Sequence, residues 1–210
     1  MFLKDLADFL MAVPVILISL TFHEYAHGKV AYMLGDPTAK NMGRLTLNPL
    51  AHLDPLGTLL LLLVGFGWAK PVPVNPYYFH TDPRRGMMLV GLAGPLMNLV
   101  LAYLSAVALH LLHRGPVFPY THYIFIFLKL KVLYNVILAV FNLLPIPPLD
   151  GSRVLAGLLP PSCGYFLDQL ERYGVLILFV LIFTGILGRI LWPLINLVLT
   201  GIDNLARLAF

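Results

Sequence analysis

The feature that most constrains this chain is an apolar run, Phe9–Leu34, that carries the motif His-Glu-x-x-His at positions 23–27. The run is long enough to cross the hydrocarbon core of a bilayer, which takes about 20 helical residues. Imidazoles and carboxylates are costly inside such a helix, so ionisable residues placed there are typical of a functional site. We therefore expect the function of the chain to centre on this helix.

The spacing of the motif predicts a metal site. Residues four apart on a helix share one face, so His23 and His27 can present their imidazoles to one ion. Glu24 is adjacent and can act as general base on a water molecule, as the glutamate of soluble zinc peptidases does. Such a site takes three protein ligands and keeps one position open, so a third ligand must come from elsewhere in the chain.

The composition indicates a membrane protein. Of the 210 residues, 59% are hydrophobic and 11% are charged, and the mean hydropathy is +0.84, whereas soluble proteins carry about 25% charged residues. We expect an all-α polytopic membrane protein, a compact bundle of about four to six transmembrane helices in a single domain over residues 1–210. The single Cys163 excludes an internal disulfide and a cysteine-based zinc site.

The stretch after the first helix predicts a re-entrant or extended insertion. Leu56–Phe66 is very apolar, but at about eleven residues it is too short to span the bilayer. Residues 67–76 follow, with prolines at positions 71, 73 and 76. These prolines exclude a helix and favour an extended edge segment.

Asp150 is the candidate for the third ligand. It follows the apolar span 132–144, which ends in a cluster of three prolines, so it lies on irregular backbone just past a helix end. Such backbone occurs at membrane depth only where protein or water surrounds it. Helix rise places both the motif and Asp150 about 10 Å from one membrane face. The alternative is a carboxylate that only ends a helix in a turn.

A shared site for the motif and Asp150 determines the helix directions. The first helix and the helix before Asp150 must run in the same direction, and Met87–Leu112 must run in the other. Leu56–Phe66 then cannot cross the membrane, because a crossing would put Asp150 on the wrong face. Residues 174–208 fit either a helical hairpin or one kinked helix.

The basic residues predict the orientation. Most lysines and arginines that can be assigned to a face fall on the side where the first helix ends, and such an excess marks the cytoplasmic side. We expect a multi-pass protein of the cell membrane whose site lies within the bilayer, toward the cytoplasm. The scattered charges indicate membrane-face anchors and no nucleic-acid partner.

Three stretches resemble the site-2 protease family of intramembrane zinc metallopeptidases. They are His-Glu-x-x-His at 23–27, Gly-Pro-Leu-Met-Asn at 94–98, and Asn-Leu-Leu-Pro-Ile-Pro-Pro-Leu-Asp-Gly at 142–151, which is close to the family signature Asn-x-x-Pro-x-x-Pro-x-Asp-Gly. Residues 67–75 also look like a stretch common in the short bacterial members. The resemblance covers residues 10 to about 155, and the chain resembles a short member without PDZ or CBS modules.

The resemblance implies an intramembrane zinc metalloprotease that hydrolyses peptide bonds within or near the transmembrane segments of membrane-protein substrates. It assigns Glu24 as general base. It assigns three ligands to one zinc ion per chain: His23, His27 and Asp150. The single peptidase domain would consist of a catalytic core over about 9–155 and C-terminal helices over about 165–208.

The resemblance also implies roles for two asparagines. Asn142 is expected near the catalytic centre, where it can position the substrate or stabilise the oxyanion, and Asn98 is expected to be structural or substrate-facing. Gly65 and the segment 67–76 could pair with an extended substrate by strand addition.

The alternative function is a membrane transporter or metal-handling protein that uses the same histidine and aspartate cluster. A transporter would show further ionisable residues along a path and broken helices in paired halves, whereas this sequence has one isolated cluster and no such symmetry. A binding scaffold without catalysis would have no use for Glu24. The expected partners are transmembrane protein substrates and the lipid bilayer, and the sequence does not indicate an oligomeric state.

Overall fold

The computed structural model describes residues 6–64, 67–116 and 118–209. In these residues the regular secondary structure is α-helical, apart from three short 3₁₀ turns and one isolated antiparallel bridge, and the rest is turns and irregular loops. The predicted all-α fold is therefore confirmed. The helices are α1 (Leu6–Met33), α2 (Thr38–Asn41), α3 (Pro55–Val64), α4 (Pro83–Arg114), α5 (Thr121–Asn142), α6 (Asp150–Leu158), α7 (Gly164–Phe183) and α8 (Ile186–Arg207).

Four helices in the described part of the chain are long and apolar enough to cross a membrane: Leu10–Met33, Pro83–Arg114, Thr121–Asn142 and Ile186–Arg207. They make the chain a multi-pass membrane protein with a helix number inside the predicted range. The C-terminal part forms two helices, because Gly185 separates α7 from α8 with a φ of 71°, a left-handed conformation that favours glycine.

Contacts between α1 and α4 show that these helices are antiparallel. The Asn98 side-chain amide donates to the Ser19 carbonyl at 3.2 Å. Two turns further along α1, His27 bonds the Val90 carbonyl at 2.6 Å. Residue numbers thus rise along α1 while they fall along α4.

Contacts between α1 and α5 show that these two helices run in the same direction. Asn135 of α5 donates to Ser19 Oγ at 2.9 Å. Asp150 is the first residue of α6, so the expectation that it lies on irregular backbone is wrong. It lies beside His23 and His27, further along α1. The helix directions agree with those expected from a shared site.

The insertion containing α3 returns to the face from which it starts. At ten residues α3 is about 15 Å long, half of the roughly 30 Å hydrocarbon core. Leu53, just before α3, forms an antiparallel bridge with Ala69, just after it. The Lys70 amide also donates to the His52 carbonyl at 2.9 Å. The predicted re-entrant segment is therefore confirmed.

The returning chain lies directly on the first turn of α3. A Cβ built on Gly57 would lie 2.2 Å from the Trp68 carbonyl oxygen, so only glycine permits this approach. From there to Asn75 the chain forms no helix or strand, and its prolines favour extended backbone, as expected for this segment. Residues 65 and 66, and with them the predicted role of Gly65, lie outside the described residues.

The hydrophobic core joins α4, α5 and α8. Alanines of α4 and α8 let the helices approach closely, as small residues do in membrane bundles. The core also places α4 at the centre, in contact with α1, α5, α6 and α8. The buried residues of this core include Ala102, Ala106, Val136, Val140, Leu191, Ile195, Ile202 and Ala206.

The re-entrant course of α3 predicts which residues share a membrane face. In a Cys163→Ser background, cysteines at Met42 and Tyr77 should react with an impermeant maleimide from the same side, and a cysteine at Tyr120 from the other side. These positions are 63%, 93% and 72% exposed, so accessibility should not limit labelling. Labelling of Met42 and Tyr77 from opposite sides would show that α3 crosses the membrane.

Candidate metal centre

The motif histidines converge on Asp150. Their Nε2 atoms lie 3.0 Å apart, and the Asp150 Oδ2 atom lies 3.1 Å from His23 Nε2 and 3.2 Å from His27 Nε2. All three residues are buried. The structure therefore brings the three predicted ligands together, with their ligand atoms within 4.8 Å of one another.

The second nitrogen of each imidazole is held by an acceptor. His23 Nδ1 bonds Asn98 Oδ1 at 2.6 Å, and His27 Nδ1 bonds the Val90 carbonyl at 2.6 Å. Carbonyl oxygens only accept hydrogen bonds, so each Nδ1 carries the proton and donates it. In the neutral imidazoles both Nε2 atoms are then unprotonated and direct their lone pairs at each other and at Asp150.

This arrangement fits a zinc ion. A tetrahedral zinc with bonds of about 2.0–2.1 Å keeps its ligands about 3.3 Å apart, close to the distances observed here. Asp150 Oδ2 is buried and has no hydrogen-bond donor among the described residues. A buried carboxylate oxygen without a donor is costly unless a cation neutralises it.

Gly94 of α4 provides the space for this centre. A Cβ at this position would lie 2.4 Å from His27 Nε2 and 2.6 Å from His23 Nε2. The α4 backbone can therefore approach the ligand atoms only because residue 94 has no side chain.

Glu24 is held by the backbone of the insertion. Its Oε2 atom accepts a hydrogen bond from the Val72 backbone amide at 2.9 Å. Val72 belongs to the extended segment after α3, so the insertion reaches the carboxylate that neighbours the metal site in sequence. The glutamate side chain is itself buried.

Asn98 belongs to a buried polar network. Its Oδ1 accepts from His23, and its Nδ2 donates to the Ser19 carbonyl and, at 2.8 Å, to Asn135 Oδ1. Both amide hydrogens of Asn98 are thereby used, and the side chain is fully buried. Sequence reasoning missed Asn135 and Ser19, although polar residues inside apolar spans were a usable signal.

Asn142 is placed differently from Asn98. Its side-chain amide donates to the Leu138 carbonyl at 3.0 Å, one turn earlier in α5. Within the part of the chain that the structure describes, its hydrogen bond is thus internal to one helix and does not join the converging ligands.

Comparisons with known proteins agree on one family. The chain matches Peptidase family M50 over residues 11–118 and 120–185. It is 43% identical over 199 residues to the "Putative zinc metalloprotease YwhC" of Bacillus subtilis, an alignment that covers 93% of this chain and 89% of that protein. It is 34% identical over 194 residues to the "Putative zinc metalloprotease Rip2" of Mycolicibacterium smegmatis, covering 89% and 72%. No solved structure matches the chain.

The space at Gly94 predicts that Gly94→Ala prevents metal binding. The added methyl group would occupy the position of the ligand nitrogens, so the purified variant should contain little zinc when measured by elemental analysis. Gly115→Ala is the matched control, because a Cβ there has its nearest neighbour at 3.5 Å. Full zinc content in Gly94→Ala would contradict the proposed location of the ion.

The hydrogen bond to His23 predicts a role for Asn98 in metal affinity. Asn98→Ala removes the acceptor that keeps the proton on Nδ1, and zinc affinity should fall by about 10- to 100-fold, as measured by competition with a chelator. Ser105→Ala is the control, because Ser105 is buried in α4 and bonds the Leu101 carbonyl of its own helix. An equal loss in both variants would indicate general destabilisation instead.

Proposed function

The chain belongs to Peptidase family M50, and we propose that His23, His27 and Asp150 hold its zinc ion and that Glu24 is the general base. It is a zinc metallopeptidase of the site-2 protease type, an intramembrane protease, and the expected enzyme class is confirmed. The family match does not favour the transporter alternative. The observation that carries the residue assignment is the convergence of three buried ligand atoms within 4.8 Å.

The proposed mechanism divides the chemistry between the ion and the protein. When bound, zinc lowers the pKa of water toward about 7 and polarises the scissile carbonyl. Glu24 takes the proton from the attacking water and passes it to the leaving amine. Asn98 and Val90 hold the imidazoles of His23 and His27 so that both Nε2 atoms stay directed at the site.

Two asparagines receive different proposed roles. Asn98 acts as a positioning residue for His23, since both of its amide hydrogens are used inside the bundle and neither can reach a substrate oxyanion. For Asn142, at the end of α5, contact with the substrate or oxyanion stays a prediction.

The proposed substrate is a transmembrane segment of another protein. An apolar groove of about 390 Å³ opens between α1, α5 and the insertion, and its apolar wall suits a segment that comes from lipid. The groove includes Gly67, Trp68 and Ala69, so strand addition to this backbone stays a hypothesis. Ala69 already forms a bridge with Leu53. Under this hypothesis the substrate would therefore pair with Gly67 and Trp68.

We also propose a cytoplasmic location for the site and a single peptidase domain over residues 1–210. The excess of basic residues where α1 ends supports the orientation. The core shared by α4, α5 and α8 supports one domain, because the C-terminal helices pack on the helices that carry the site.

In intact cells, cysteines at Met42 and Tyr77 should then be protected from an external maleimide.

The two carboxylates predict opposite variant behaviour. Glu24→Gln should keep zinc, and its cleavage rate should fall by about 10²–10⁴-fold, because the change removes the base and leaves the ligands intact. Asp150→Ala should lose zinc. The measurements are metal content and the cleavage of a panel of single-span substrates by reconstituted protein.

Either of two results would contradict this assignment. Cleavage by Glu24→Gln at the wild-type rate would exclude Glu24 as the base. Full zinc occupancy in Asp150→Ala would show that another residue is the third ligand.

A further inference from the structure

The extended segment Lys70–Asn75, here called the strap, contacts the proposed general base through its backbone. Its sequence is Lys-Pro-Val-Pro-Val-Asn, and the Val72 amide donates to Glu24 Oε2 at 2.9 Å. Pro71 and Pro73 have no N–H group. Of the three residues 71–73, only Val72 can therefore donate a backbone hydrogen bond to the carboxylate.

Both ends of the strap are anchored outside the metal site. At one end, the Lys70 amide donates to the His52 carbonyl at 2.9 Å, and the Lys70 carbonyl accepts from the Arg44 guanidinium at 2.8 Å. At the other end, the Asn75 amide donates to Asp36 Oδ2 at 2.7 Å. Arg44 and Asp36 are buried, so the strap is tied to fixed points on both sides of Val72.

The Val72 side chain sets the height of the strap above α1. It is 7% exposed, and a Cβ added to Gly28 would lie 3.0 Å from Val72 Cγ1. Gly28 lies four residues after Glu24, so both occupy the same face of α1. A side chain at residue 28 would therefore press on Val72 and displace its amide from the carboxylate.

We propose that Val72 is a positioning residue whose backbone N–H holds Oε2 of Glu24 and thereby presents Oε1 for proton transfer. A hydrogen bond to a carboxylate is stronger and more directional than a neutral one, so it selects one orientation of a flexible side chain. The inference rests on the proposed role of Glu24 and adds the element that orients it. Among the described residues the strap hydrogen-bonds the proposed base and none of the three proposed zinc ligands, so its effect is on turnover rather than on metal binding.

Val72→Pro tests the proposal, because it removes the N–H group and is compatible with extended backbone. It should lower kcat by about 10- to 100-fold, the range seen when supporting contacts of a site are lost, with KM and zinc content close to wild type. Val74→Pro is the matched control, since it places a proline in the same strap and keeps the Val72 amide.

A second pair of variants tests the positioning role of Val72 without introducing a proline. Gly28→Ala should push the strap away through Val72 Cγ1 and lower kcat, while zinc stays bound. In the double variant with Val72→Ala the tightest of these contacts is absent, and the added Cβ keeps only Leu45 Cδ1 at 3.3 Å and Ala39 Cβ at 3.5 Å as near neighbours, so kcat should rise above that of Gly28→Ala. Such mutual suppression is not expected from general destabilisation, and it remains measurable if Val72→Pro does not fold.

The outcomes separate this inference from the assignment of Glu24. Wild-type kcat in a folded Val72→Pro, or no recovery in the double variant, would overturn the role of Val72. Loss of zinc in Val72→Pro would overturn it as well, because the strap would then support the fold of the metal centre. If Glu24→Gln cleaves normally, the general base itself has been misassigned.

Discussion

The close approach of two imidazole nitrogens to one carboxylate oxygen is the interaction on which the rest of the bundle depends. His23 and His27 direct unprotonated Nε2 atoms at each other across 3.0 Å, and Asp150 adds a buried oxygen that no donor in the described part of the chain satisfies. These groups repel one another unless a cation lies among them. Helix packing must hold them in place, and α4 does so by presenting Gly94 to the ligand atoms.

The polar groups around this centre also set the order of the helices. Asn98 of α4 connects His23 of α1 to Asn135 of α5, and Ser19 closes the network. A buried polar atom in a membrane protein costs free energy unless it finds a partner. The antiparallel pairing of α1 with α4 and the parallel pairing of α1 with α5 satisfy these side chains together.

The proposed metal ligands and the proposed general base are supported by different parts of the chain. The histidines are oriented by α4, whereas Glu24 is held by the strap that returns from the re-entrant α3. The insertion therefore has two roles: it lines the apolar groove, and it orients Glu24. It also means that changes in the strap can alter turnover while the metal centre stays intact.

The sequence by itself determined the features that depend on local spacing and on the cost of charge in lipid. Helix periodicity put His23 and His27 on one face, the prolines before Asp150 marked a broken helix end, and the shortness of α3 excluded a crossing. The tertiary structure alone decided that Asn135 supports Asn98 and that the Val72 amide reaches Glu24. A hydrogen bond between helices depends on their relative rotation, and every residue except proline has a backbone N–H, so the partners in these two contacts do not follow from the residue types alone.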